Sequence, residues 1–324
     1  MKDKFNREIE YMRISLTDRC NLRCKYCMPC DVPWIDHEQI LAYEEILEIC
    51  QIAVELGINR FKITGGEPLV RKGCLEFIRT LKQMPGVKQV TMTTNGVLLH
   101  QYADELAEAG VNGINVSLDT LDRERFAFLT GKDALEQVLD GLYYSNKLGM
   151  KMKVNCVPLK GFNEDGLLQM LDICRDHPID VRFIEVMPIG YGKEYAGISV
   201  VNLEQEIRKA YPDGETVLRR LGNGPARYYH PSEFMGSVGF IDAIHGKFCS
   251  DCNRIRLTSE GFLKTCLYYG HGSSLRDYRR GGGSRDGLKN LMQETIFQKP
   301  KEHHFGNLSA DDEKELRKMS QIGG

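Results

Sequence analysis

Through the first half of the chain, short runs that alternate apolar and polar residues are separated by segments of helical spacing. The strand-like runs cover 13–16, 60–64, 89–94, 113–118, 151–157 and 181–186, and the helical ones 43–56, 73–84, 98–109, 134–148 and 164–175. Strand followed by helix, repeated about six times, predicts parallel strands in an α/β layer architecture. A closed eight-fold barrel takes roughly 250 residues. The alternation stops near residue 190, so the expected fold is an incomplete, six-unit β/α barrel. It should be closed by a C-terminal segment of short strands. The expected division is 1–190 for the barrel and 191–324 for the closing region.

Parallel strands are usually apolar on both faces, but these are apolar on one face only. Phe61 and Ile63 alternate with Arg60, Lys62 and Thr64, and Met152, Val154 and Cys156 with Lys151, Lys153 and Asn155. Val90 and Met92 alternate with Thr91 and Thr93, and Ile114, Val116 and Leu118 with Asn115, Ser117 and Asp119. In a barrel wrapped by helices the apolar face meets the helices, which turns the polar face inward. Unpaired buried charges cost several kcal/mol, so a lysine- and arginine-lined interior must hold water or a large anionic ligand. The alternative, an antiparallel sheet with one solvated face, fits poorly with the intervening helices.

Beyond residue 190 the pattern changes. Stretches 191–197 and 222–225 are rich in glycine or proline and read as loops. One helical pattern covers 202–211, and β-type runs without regular helices cover 228–229, 239–243, 255–258 and 262–265. The polar ending, from residue 302 on, would ordinarily be a frayed tail.

Composition narrows the function. Hydrophobic residues make up 42% of the 324, enough for a sizeable core, and a net charge of −2 gives no basic field for nucleic acid. No secretory segment is read, and no apolar run approaches the roughly 20 residues needed to cross a membrane. Eleven cysteines, an odd number, do not form a disulfide framework in such a chain. The expected setting is soluble, reducing and cytoplasmic.

The cysteines carry the chemistry. Cys20, Cys24 and Cys27 fall within eight residues, directly after the first strand. A zinc staple would need four closed ligands, whereas a cubane iron–sulfur cluster held by three thiolates keeps one iron open for substrate. A second trio, Cys249, Cys252 and Cys266, lies in the closing region. Alone it fits an open cluster and a zinc site completed by His245 or His271 equally well; beside the first trio, the second open cluster is favoured. Thr64-Gly65-Gly66-Glu67-Pro68 follows the second strand, where its glycines permit close backbone approach. Thr93-Thr94-Asn95-Gly96, Ser117-Leu118-Asp119 and Met187-Pro188 end later strands, the end at which barrels place their chemistry.

The spacing of Cys20, Cys24 and Cys27, with Tyr26 before the last, resembles the signature of the radical S-adenosylmethionine enzymes. The second trio, Asn253-Arg-Ile-Arg-Leu-Thr258 and the Gly323-Gly324 ending resemble more narrowly the GTP 3′,8-cyclases of molybdenum cofactor biosynthesis. The resemblance covers nearly the whole chain. It implies two [4Fe-4S] clusters, the first on Cys20, Cys24 and Cys27 and the second on Cys249, Cys252 and Cys266. It implies that S-adenosylmethionine is lined by Tyr26, Gly66, Ser117 and Met187 and is cleaved to a 5′-deoxyadenosyl radical that removes hydrogen from ribose C3′. GTP would be held by Arg13, Lys62, Thr93, Lys153, Arg254 and Arg256, with Gly323 and Gly324 reaching into the active site. Arg60 shares a face with Lys62, whereas strand parity sets Arg182 opposite Glu185 and Met187. No Walker-type loop is present, so GTP would be substrate rather than switch ligand. The implied partners are an external electron donor of flavodoxin or ferredoxin type and the cyclic pyranopterin monophosphate synthase that takes the product. No nucleic acid or membrane partner is expected, and monomer and homodimer both stay open. Cys30 departs from the family pattern, and Pro29 before it favours a chain leaving the cluster, so it is not expected to be a ligand. A radical peptide-modifying maturase and a two-cluster electron carrier are the rival readings.

Overall fold

The computed structural model describes residues 1–29, 34–219, 221–246, 248–305, 315 and 317–323; Cys30 and Gly324 lie outside them. The first half forms strand and helix where the alternation predicts: β1 (Tyr11–Ser15), α1 (Tyr43–Glu55), β2 (Arg60–Thr64), α2 (Cys74–Gln83), β3 (Gln89–Thr94), α3 (Leu99–Glu108) and β4 (Ile114–Ser117). An eight-residue helix, α4 (Arg123–Thr130), comes next and was not legible, because only Phe126, Leu129 and Thr130 of it are buried. Its start is set by Asp122, whose side chain accepts from the Arg125 amide. Then follow α5 (Leu135–Lys147), β5 (Met152–Cys156), α6 (Leu171–Asp176) and β6 (Asp180–Ile184). The helical pattern over 164–175 resolves into one tight turn, Glu164–Gly166, and the short α6.

The closing region contributes α7 (Val200–Ala210), β7 (Glu215–Val217), β8 (Arg227–His230), β9 (Val238–Ile241), β10 (Arg254–Leu257), β11 (Phe262–Lys264) and β12 (Gly272–Ser274). Two helices, α8 (Leu275–Arg280) and α9 (Arg285–Phe297), correct the expectation of strands alone. The Gly281–Gly283 run masks them as a loop, yet Leu288, Met292 and Ile296 are buried at i, i+4 and i+8, the stripe of an amphipathic helix. A final turn, α10 (Met319–Ile322), is followed by Gly323, the last described residue.

All twelve strands join one sheet in the order β12-β11-β10-β1-β2-β3-β4-β5-β6-β9-β8-β7. The six strands of the first half are parallel, and β9 and β10 add to β6 and β1 in the same sense. The closing region therefore extends the parallel sheet by one strand on each side, to eight. On the helix-facing side Phe61, Ile63, Val90, Met92, Val116, Val154 and Phe183 are fully buried with Ile46, Ile52, Ile78 and Leu106 of the helices. Each such side chain contributes about 1.5–3 kcal/mol by leaving water. The opposite, polar face lines an interior cavity.

Candidate active site

That interior has two compartments. The upper, about 330 Å³, is walled by all six cysteines of the two trios, with Tyr26, Gly66, Ser117, Asp119 and Met187. The lower, about 720 Å³, is walled by Arg60, Lys62, Lys88, Lys151, Lys153 and Arg182. Arg13, Thr93, Asn155 and Arg254 belong to both walls, so the compartments adjoin. The sheet register explains the basic layer between them. Arg13 stands opposite Arg256 on one neighbour and Lys62 on the other, three cations abreast. Like charges directly across strands are destabilising, and such a row calls for an anion. Burial pushes Lys62 well below the usual lysine range, and Arg182, Arg13 and Lys153 add to it. Arg256 is lowered too, by burial and then by Arg13 and Arg254.

Each thiol trio is surrounded by donors. The Leu22 amide and Asn95 Nδ2 reach Cys20 Sγ at 3.4 and 3.5 Å, and the Ser320 amide of the C-terminal turn donates to Cys27. In the second trio the His303 amide donates to Cys249 and the Arg254 amide to Cys252. None of the six is in a disulfide. Burial pushes Cys24 well up and Cys27 up to about 12, and the neighbouring thiols and Asp119 push the same way. Three partly buried thiols that oppose one another's ionisation, with amides aimed at sulfur, suit a polynuclear cationic core. Among the described residues no three His, Cys, Asp or Glu groups close on a single ion. His245 turns to Glu185, His271 stacks on Tyr269, and neither joins the cavity wall, which disfavours the zinc alternative.

The Thr64–Pro68 turn packs on the first cysteine loop. The Gly66 amide donates to Thr17 O at 2.6 Å and the Glu67 amide to Arg19 O at 2.8 Å. A side chain at Gly66 would collide with the Arg19 carbonyl. The glycines thus serve close approach of the chain to itself as well as to the cavity. Glu67 is buried, and its carboxylate accepts from the Leu69 and Asn95 amides and the Thr94 hydroxyl. Burial wins over these three donors and raises it to about 7. Between about pH 4.5 and 7 the folded chain therefore holds a proton the unfolded chain has lost. Stability should fall as pH rises through that window, by about 1.4 kcal/mol per unit, and E67Q should flatten the slope. Urea midpoints of both proteins from pH 5 to 8 check this, and parallel curves would refute it.

Other placements correct or extend the sequence expectations. Lys153 is engaged by Asp180 at 2.6 Å and the Tyr228 hydroxyl at 3.1 Å, partners that no motif advertised. Arg182, set on the other face by parity, instead shares the lower cavity and bonds Asn155, because the alternation lapses after Ile184. Tyr26 donates to Asp119 at 2.6 Å, and burial holds that carboxyl up near 6. Arg256 donates to the Gly323 carbonyl at 2.7 Å, so the C-terminal turn is docked in the interior. His303 is buried in the cavity wall, so this part of the ending is not frayed. Lys299 carries no sequence signal, being one lysine among many. Its buried ammonium bonds the Arg254 and Thr265 carbonyls and donates to Cys252. Burial alone would raise Cys252, but Lys299 and Arg254 outweigh it and bring the thiol to about 7.

An α/β fold with a large, mostly parallel sheet whose strand ends carry a three-thiol loop defines a class, and known relatives agree on it. Residues 14–174 match the radical SAM superfamily and residues 179–305 match Molybdenum Cofactor Synthesis C. A solved structure of Streptococcus suis SuiB with a precursor peptide shares the fold, with a TM-score of 0.66 at 16% identity, over 91% of this chain and 66% of that one. GTP 3′,8-cyclases of Clostridium perfringens (strain 13 / Type A) and Alkaliphilus oremlandii (strain OhILAs) are 42% and 40% identical, each over the whole of both chains. The chain belongs to the GTP 3′,8-cyclase family of radical SAM proteins. No helix among the described residues is long and apolar enough to cross a membrane.

Proposed function

We propose that this enzyme cyclises GTP to (8S)-3′,8-cyclo-7,8-dihydroguanosine 5′-triphosphate, the first step of molybdenum cofactor biosynthesis. The observation that carries the reading is the row Arg256–Arg13–Lys62, set in register between a six-thiol compartment and a basic one. Cys20, Cys24 and Cys27 would hold one [4Fe-4S] cluster, and Cys249, Cys252 and Cys266 another. When loaded, the first cluster with S-adenosylmethionine would supply hydrogen abstraction from ribose C3′ at the expense of one external electron, and closure on guanine C8 would take up a second electron and a proton to give the 7,8-dihydro product.

The chain's own residues bind and orient. Arg13, Lys62, Arg254 and Arg256, with Thr93 and Lys153, are assigned to the triphosphate, for which arginine offers a bidentate fork. Lys153 would exchange Asp180 for phosphate on binding. Tyr26, Gly66, Ser117 and Met187 are assigned to S-adenosylmethionine, and the Tyr26–Asp119 bond fixes the ring. Gly323, held by Arg256, and Gly324 after it are assigned to the reacting end of the substrate, where the docked turn also excludes water. The electron donor is a small carrier of flavodoxin or ferredoxin type, and the product passes to cyclic pyranopterin monophosphate synthase. The test is anaerobic incubation of the reconstituted protein with GTP, S-adenosylmethionine and dithionite, read by mass spectrometry. Equal amounts of 5′-deoxyadenosine and the cyclised triphosphate are expected. 5′-Deoxyadenosine without change in GTP would overturn the substrate.

A further inference from the structure

The loop that carries the first trio has a second face. Cys20, Cys24 and Cys27 open into the upper cavity, whereas Arg19, Arg23 and Lys25, interleaved with them, are not in its wall. Their charged ends lie instead on two surface aromatics. Arg19 and Arg23 stand 5.7 and 5.0 Å from the ring centre of Trp34, and the Lys25 ammonium 3.4 Å from that of Phe128. Trp34 is 42% exposed and Phe128 56%. Among the described residues none of the three cations has a carboxylate partner. Nearby Asp133 and Asp165 are already taken by Arg123 and Arg125. Glu124 and Glu164 mark the acidic edge of the patch, beside Phe128.

The face is also firmly held. The Arg23 and Lys25 amides donate to the Thr130 and Leu129 carbonyls of α4 at 2.7 and 3.0 Å, and Arg23 Nη1 braces the Cys20 and Leu22 carbonyls. From Phe128 a file of rings runs inward through Phe162 and Tyr195 to Tyr26, at centre separations of 6.2, 5.4 and 6.4 Å. Tyr26 lines the cavity with the thiols. A firmly held patch of cations with no carboxylate partner among the described residues, around two exposed aromatics, is the make-up of a transient protein interface: aromatic and arginine anchors at the centre, charge for steering.

We propose that this face docks an acidic one-electron carrier protein. The inference rests on the function proposed above and names the partner's landing site. Per event one electron leaves the carrier, which is oxidised by one equivalent, and would reduce by one equivalent the cluster that Cys20, Cys24 and Cys27 would hold; no atom or proton crosses.

The test compares two reductants, photoreduced acidic flavodoxin and dithionite, on wild-type protein and the R19E/K25E variant. At low ionic strength the flavodoxin KM for 5′-deoxyadenosine formation should rise on the order of tenfold. Iron content and the dithionite-driven rate should stay the same, and R19K/K25R should restore the flavodoxin KM. An unchanged flavodoxin KM, or equal losses with both reductants, overturns the proposal. Should the variant assemble poorly, calorimetric titration of oxidised flavodoxin into both apoproteins decides instead, and equal affinities reject the docking face. A wild-type protein that fails to cleave S-adenosylmethionine with dithionite refutes the underlying function, and calorimetry then judges the face alone.

Discussion

Replacing Cys249, Cys252 and Cys266 together by alanine is expected to halve the iron of the reconstituted protein, from about eight to about four per chain, and to abolish cyclisation. The fold should survive. Lys299 keeps its bonds to the Arg254 and Thr265 carbonyls, which tie the two segments bearing the trio whether or not sulfur is present. Arg7 likewise still grips the Cys249 carbonyl and those of Pro300 and Lys301, with Asp3 behind it. Loss of activity would then report the second site rather than unfolding. Iron analysis with thermal melting checks this. Zinc at the second site of the wild-type protein, or full activity in the triple variant, would defeat the assignment.

Arg256→Ala is expected to cut cyclisation by roughly 10- to 150-fold, the worth of one charge-assisted phosphate contact of about 1.5–3 kcal/mol. Both clusters should remain assembled. The same change removes the bond to the Gly323 carbonyl, so two roles are mixed in it. Arg254→Ala separates them, because among the described residues no bond joins Arg254 to the C-terminal turn; its guanidinium lies over the Phe248 ring, 4.8 Å away. Arg254→Ala should show a comparable loss while deletion of residues 323–324 leaves triphosphate affinity intact. Competition binding of a GTP analogue measures that affinity. Wild-type activity in Arg254→Ala or Arg256→Ala would remove that residue from the site, and equal affinity losses on tail deletion would make Arg256 a tail anchor only.

The cysteine trios, the Thr64–Pro68 turn and the one-sided alternation were legible because each is a local pattern. Ligand spacing within a loop and side-chain parity within a strand depend on neighbours a few residues away. Alternation of Lys62 with Phe61 and Ile63 alone implied a polar interior, and the lower cavity has one. Parity misplaced Arg182 because it holds only while a strand stays regular.

Long-range pairing was beyond such patterns. That β10 runs parallel to β1, bringing the Arg256–Arg13–Lys62 row abreast, depends on register between segments some 240 residues apart in sequence, and the pairing of β9 with β6 spans a shorter but still non-local gap. The partners Asp180 and Tyr228 for Lys153, and Cys252 for Lys299, are likewise decided by which strand ends meet. The sequence by itself determined which thiols are spaced as candidate cluster ligands and which strand face is charged, since both follow from chemistry repeated at short range. Only the tertiary structure decided which charges stand together and which find a partner, because burial and cross-strand neighbours, not residue type, set that balance.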